Sequence, residues 1–116
     1  VVATSRFLDT NTSMTLISDT FTANSTPTKA RIVVFAELVD DLNTDIVASV
    51  TRDNSTFNSV TLTDEGFEAG SSGIKIFTGS TPLTGSGSPQ VALRWKIVGS
   101  SLTGNNKVHG VALQWA

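Results

Sequence analysis

Cysteine and tyrosine are absent from this 116-residue chain, and histidine and methionine each occur once. The absence of cysteine excludes disulfides, thiolate metal ligands and cysteine nucleophiles. The single histidine, His109, sits in a strand-like stretch, and no nucleophile-elbow motif accompanies it. We therefore expect no enzyme activity, no catalytic residue and no cofactor, and we interpret His109 as a partly buried or interface histidine.

Charge of one sign and long apolar runs are also scarce. The formal net charge is -2, and the eight basic residues are scattered along the chain, so we expect no nucleic-acid binding. No apolar run approaches the roughly 18 residues that a membrane span requires, so we expect no membrane insertion. No basic stretch followed by an apolar core opens the chain, so no signal peptide is predicted.

Serine and threonine, in contrast, make up roughly a quarter of the residues, a composition that favours strands and turns over helices. Alternation of apolar and polar residues is clearest from Gln90 to Ile97, with Val91, Leu93, Trp95 and Ile97 on one face. A second alternating stretch near the C-terminus places His109, Val111, Leu113 and Trp115 on one face. Both stretches predict half-buried antiparallel strands.

Further strands are predicted between turn signals rich in Gly, Ser and Asn. Their ranges are Ser13 to Ser18, Arg31 to Leu38, Asp45 to Arg52, Ser59 to Thr63 and Gly73 to Phe77. The turn signals include 65–66, 70–73, 85–89 and 104–106. This spacing predicts one all-β domain over residues 1–116, an antiparallel, jelly-roll-like β-sandwich of about eight strands. Residues 1–10 are expected to form an extended arm or a link to an upstream region.

The Arg31 to Leu38 run is apolar on both faces. Such a strand is either central in a sandwich or buried again at a subunit contact. A short helical turn is plausible only over Glu37 to Leu42.

Acidic and amide side chains alternate at Asp41, Asn43 and Asp45. Oxygen ligands at this spacing make a weak calcium candidate. The EF-hand pattern is incomplete, however, and a solvated turn with Asx hydrogen bonds is the alternative. We therefore expect no metal site. Candidate binding contacts are placed only in loops, at Asp40, Asp53, Asn54 and Ser86.

The segment from Thr51 to Phe57, TRDNSTF, resembles the Asp-box hairpin of sialidases and related proteins. It is one residue shorter, lacks the glycine and has Phe where that motif has Trp. In those families the motif is structural, so the resemblance implies a hairpin in which Asp53 bonds turn amides and Phe57 packs.

The two tryptophans, Trp95 and Trp115, alternate in phase with aliphatic residues. Core tryptophan is the favoured interpretation, and sugar-stacking platforms are the alternative. For Trp115, capping of an interface is a further alternative.

An ordered set of short stretches covers nearly the whole chain: residues 14–16, 23–33, 43–46, 51–57, 60–66, 93–97 and 106–115. The set resembles a C-terminal β-domain of tail-fibre-like and other virion structural proteins of marine and related bacteriophages. Departures fall in the 52–57 hairpin, which is usually a fuller Arg-Asp-Gly-Gly-Thr-Thr turn, and in the Gly/Ser-rich loop from Ser80 to Pro89.

The resemblance implies a non-enzymatic role on the virion surface, in a tail fibre or spike that attaches to the host. The expected partners are further copies of the chain as a homotrimer, other virion proteins and a host-surface glycan. A capsid decoration protein, with residues 1–7 adding a strand to a capsid sheet, is one alternative. A free-standing carbohydrate-binding module is the other.

Overall fold

The computed structural model describes residues 12–116, and their secondary structure consists of nine β-strands. The strands are β1 (Met14–Ile17), β2 (Phe21–Thr22), β3 (Lys29–Glu37), β4 (Ile46–Thr51), β5 (Phe57–Val60), β6 (Thr63–Phe67), β7 (Lys75–Pro82), β8 (Ala92–Gly99) and β9 (Lys107–Trp115). No helix capable of crossing a membrane occurs in this part of the chain. The expected N-terminal arm lies outside the described residues.

The strands form two antiparallel sheets that pack against each other. One sheet has the order β1-β8-β4-β5, with β2 also paired to β8, and the other has the order β6-β7-β3-β9. The predicted all-β antiparallel sandwich is confirmed, with nine strands where about eight were expected. Its finer assignment to a jelly roll stays a prediction.

The core follows from side-chain alternation on the inner strands. On β8, Leu93, Trp95 and Ile97 are buried, as their spacing predicts, and Trp95 is only 2% exposed. On the neighbouring β4, Ile46 and Val50 face the same way and are also buried. Because consecutive strand residues point to opposite faces, these strands each contribute every second residue to the core.

The apolar run on β3 is central in its sheet, between β7 and β9. Ile32 and Val34 are buried in the core, whereas Val33 and Phe35 lie half-buried on the outer face of the same strand. The structure agrees with the first interpretation of this run, a central strand of the sandwich. The second apolar face of the strand lies on the outside of the sandwich.

The predicted shared face of His109 with Val111 is wrong. A register shift in the β3–β9 pairing places Val108 opposite Ala36 and Gly110 opposite Phe35. The extra residue of a bulge reverses the alternation at that point. Val108 is therefore buried, and His109 turns to the outer face, while Val111 packs against the core.

Two further expectations require correction. The predicted turn at Glu65-Gly66 is instead part of edge strand β6, where a register shift between Asp64 and Phe67 absorbs Gly66 at φ +99°. No helical turn forms over residues 37–42, because β3 continues to Glu37 and the chain then enters an irregular loop.

Candidate functional site

The loops of the sandwich are divided between its two ends. At one end β3 begins, β7 ends and β9 ends, since Lys29 pairs with Pro82 and Ala30 pairs with Trp115. The β4–β5 turn lies at the same end, because Arg52 bonds the carbonyls of Pro27, just before β3, and of Gly85, just after β7. We call this the hairpin end, comprising residues 23–28, 52–56, 83–91 and 115–116. Two of the three predicted binding loops meet here.

Asp53 holds the hairpin end together. Its side chain is 6% exposed. Oδ1 accepts hydrogen bonds from the backbone N–H groups of Ser55 at 2.9 Å and Thr56 at 2.8 Å, and from the Thr51 hydroxyl at 3.0 Å. Oδ2 accepts the N–H of Gly87 at 3.0 Å. The predicted bonding of Asp53 to turn amides is confirmed, and the bond to Gly87 also fixes a second loop.

These donors favour the ionised carboxylate. The amides of Thr56 and Ser55 contribute most to holding the pKa of Asp53 far below its ordinary value, and Gly87 and Thr51 act in the same direction. Partial desolvation opposes the shift without cancelling it. Asp53 is therefore a structural anion, fully engaged by the protein.

Arg52 reinforces this arrangement. Its guanidinium donates to the Gly85 carbonyl through Nε at 3.2 Å and Nη2 at 2.9 Å, and to the Pro27 carbonyl through Nη1 at 2.9 Å. One side chain thus joins the β4–β5 turn, the β7–β8 loop and the segment before β3. The result is a fixed frame from which Asn54 and Ser86 extend as exposed residues.

Trp115 contributes an aromatic wall at the same end. It is 38% exposed, so the core interpretation is correct for Trp95 and wrong for Trp115, which ends an edge strand. A cavity of about 260 Å³ opens beside it, and the lining residues are Thr22, Asn24, Ser25, Pro27, Trp115 and Ala116. An accessible indole next to short hydroxyl and amide side chains combines apolar contact with hydrogen-bonding groups.

A second cavity, of about 240 Å³, also has Trp115 and Ala116 in its lining. Its other lining residues are Lys29, Ala30, Arg31, Ser80 and Gln114. Lys29 and Arg31 make this cavity basic, whereas the first cavity is polar and carries no charged side chain. The two therefore suit different ligand chemistry.

Asp40 lies at the opposite end of the sandwich. Its carboxylate accepts hydrogen bonds from the Asn106 amide at 2.7 Å, the Thr103 hydroxyl at 2.7 Å and the Thr103 N–H at 3.0 Å. The Asn106 amide and the Thr103 hydroxyl are the main causes that lower the pKa of Asp40 to about 2. Like Asp53, this predicted contact residue is occupied in joining two loops.

The calcium candidate residues take part in a different arrangement. Asn43 donates from Nδ2 to the Leu62 carbonyl at 2.9 Å and accepts the Leu62 N–H on Oδ1 at 2.8 Å. Asp45 Oδ2 accepts the N–H of Asp41 at 3.4 Å. Among residues 12–116, no group of three or more His, Cys, Asp or Glu side chains is placed to hold a metal ion. Asn43 is thus engaged with the backbone of Leu62, 19 residues along the chain, and Asp45 with the backbone of Asp41.

His109 lies on the outer face of the second sheet, where its Nε2 is 2.8 Å from Glu37 Oε2. The exposed fraction of the side chain is 35% for His109 and 40% for Glu37. His109 is thus partly buried, as in the first of the two interpretations given for it, and its ring is bonded to Glu37.

Sequence reasoning missed two residues that organise the loops. The sequence indicates Asn106 only as a turn former, although Asn106 is 4% exposed and accepts the N–H of Val39 at 2.9 Å. The sequence indicates Arg52 only as part of the hairpin from Thr51 to Phe57. Their partners lie 67 and 25 or more residues away, so no local pattern signals these bonds.

Comparison of the chain with protein-family models, with curated proteins and with solved structures finds no match.

Proposed function

We propose that this chain is a non-enzymatic recognition domain on a bacteriophage virion, part of a tail fibre or spike, that binds host-surface glycan at its hairpin end. The ligand site of this proposal is the cavity beside Trp115. The virion assignment, the homotrimer and the contacts with other virion proteins are proposed from the family resemblance.

The observation that carries the glycan proposal is the exposed indole of Trp115 within a concave polar surface. Sugar rings present C–H groups on one side and hydroxyls around the rim. An aromatic face suits the first, and the side chains of Thr22, Asn24 and Ser25 offer donors and acceptors for the second. None of these lining side chains is charged, which favours neutral sugar hydroxyls as the ligand groups.

The frame around the cavity supports the same proposal. Arg52 bonds the carbonyl of Pro27, which itself lines the cavity. Thr28 N–H and Lys29 N–H both donate to the Ala116 carbonyl, at 2.8 and 3.3 Å. A site whose walls are held by such bonds loses less conformational entropy when a ligand binds.

A free-standing carbohydrate-binding module shares this cavity and remains the alternative for the binding activity. It differs in location, since it requires no virion. The capsid decoration alternative depends on an N-terminal arm over residues 1–7, which lies outside the described residues.

Sugar binding is tested with an array of bacterial surface oligosaccharides, probed with many copies of the domain on one carrier, because single copies of such domains bind weakly. We expect wild type to bind a subset of neutral glycans, and Trp115→Ala to lose that signal while its melting curve stays cooperative. Trp115→Phe, the matched control, should keep part of it. Binding that is unchanged in Trp115→Ala would refute the site.

The virion location is tested separately by gold-labelled antibody microscopy on particles of the source phage. Label on the tail supports the fibre or spike. Label over the head would overturn it in favour of capsid decoration, and absence of label from particles would leave the carbohydrate-binding module as the better account.

A further inference from the structure

The outer face of the β6-β7-β3-β9 sheet carries an apolar centre. On β3 this face presents Arg31, Val33, Phe35 and Glu37, which alternate with the core residues. Pairing places Thr78 and Ile76 of β7 beside Val33 and Phe35, and it places Ala112 and Gly110 of β9 on their other side. We call this set of eight residues the outer patch.

Two other aromatic rings of the sandwich lie under a lysine: on β6 of this sheet, the Lys75 ammonium is 5.1 Å from the ring centroid of Phe67. On the other sheet, the ammonium of Lys96 lies 4.0 Å from the ring centroid of Phe57, so that a cation covers the ring. In the outer patch, the neighbour of Phe35 on β9 is Gly110, which has no side chain to cover it. A Cβ built on Gly110 would meet the Phe35 ring at 3.8 Å. The half-buried Phe35 ring thus has no side chain beside it at its pairing position on β9.

The charges of the patch are arranged along one line. Arg31 and Glu37 stand at opposite ends of the β3 face, with Val33 and Phe35 between them. Rotation by a two-fold axis lying in the interface, perpendicular to the strands, reverses the strand direction. Arg31 then faces Glu37 of a second copy, and Val33 faces Phe35. An axis parallel to the strands would set Arg31 on Arg31 and Glu37 on Glu37, which like-charge repulsion disfavours.

We propose that the outer patch binds a second copy of this chain face to face, with the two β3 strands antiparallel. In this arrangement Ala112 of one copy faces Gly110 of the other. Because both residues are small, the two backbones can approach closely. Glu37 already contacts His109 through Oε2, and its second oxygen is able to accept a further bond from an arginine. Because such an isologous contact joins two copies, a homotrimer would need a different surface.

The test is the sedimentation of the purified chain at rising concentration. We expect wild type to form dimers, or hexamers where the homotrimer of the proposed function also forms. The single variants Arg31→Glu and Glu37→Arg should weaken this two-fold association about tenfold or more, since each sets like charges opposite each other. The double variant Arg31→Glu/Glu37→Arg restores opposite charges and should recover the dimer. Arg94→Glu, on the other sheet, is the matched control and should sediment as wild type.

Ala112→Arg tests the same interface without changing Glu37 or His109. Ala112 is exposed, so this variant should fold normally but block close approach of the two faces. A wild type that stays monomeric at all concentrations or forms trimers alone would overturn the proposal. So would a dimer that is insensitive to Ala112→Arg and to the charge variants. These outcomes leave the glycan test at Trp115 unaffected.

Discussion

Asp53 illustrates how a single buried carboxylate organises a whole end of the molecule. Its four hydrogen-bond donors come from the turn that contains it and from the loop after β7. The close approach of that loop depends on Gly85, whose φ is +115° and whose missing Cβ would clash with Asp53 Oδ2. Glycine is suited to this position because it adopts positive φ without steric cost.

Gly85→Ala is therefore expected to lower the free energy of unfolding by about 1–3 kcal/mol from backbone strain alone, and by more because Asp53 must move. Gly70→Ala is the matched control, since Gly70 also has positive φ, at +82°, but open space around its Cα. Urea denaturation measures both variants. Equal losses in the two would show that the contact with Asp53 contributes nothing.

At the scale of elements, one side chain joins a loop to the connection between the two sheets by bonds like those of paired backbones. Asn43, with φ of +67°, pairs its amide with both polar backbone atoms of Leu62, between β5 and β6. This bond fixes the β3–β4 loop to the point where the chain passes from one sheet to the other.

Asn43→Gly keeps the backbone conformation but removes both bonds, and we expect it to cost about 1–3 kcal/mol because the Leu62 groups lose their partner. Asn43→Ala should cost about 1–2 kcal/mol more, since alanine resists the left-handed region. Thermal unfolding of both variants tests the order. If alanine proved as stable as glycine, the strain assigned to this position would be wrong.

The elements also show what sequence patterning determines. Alternation placed Leu93, Trp95 and Ile97 correctly, because a strand with a neighbour on each side has one face toward the core and one face away from it. The same rule failed for His109, since a bulge opposite Phe35 depends on the partner strand. It also failed for Trp115, whose exposure depends on what packs over the end of an edge strand. The meeting of Asp53 with Gly87 is a tertiary contact that no local spacing encodes.

At the scale of the whole molecule, two carboxylates join distant loops at opposite ends of the sandwich. Hydrogen bonds lower the pKa of Asp40 to about 2 and that of Asp53 further still. A carboxyl whose folded pKa is depressed stabilises the protein above its unfolded pKa, and this contribution is lost as the pH falls through the folded value.

We therefore expect the melting temperature of wild type to fall steadily as the pH drops from about 4 to about 2 and below. Asp40→Asn and Asp53→Asn should melt lower at neutral pH and show a shallower acid dependence, because each lacks one of the shifted groups. Asp19→Asn, at an exposed position, controls for net charge. Parallel pH profiles for Asp53→Asn and wild type would contradict this account.

The central claim is that Trp115 forms a glycan site while Trp95 belongs to the core. The chain has only two tryptophans, so a nitrogen–proton correlation spectrum contains two indole signals, which Trp115→Phe assigns. The measurement is a titration with the neutral oligosaccharides selected on the array. The account predicts a saturable shift of the Trp115 indole signal with the Trp95 signal unmoved. A Trp115 signal that stays fixed while the sugar binds would contradict it.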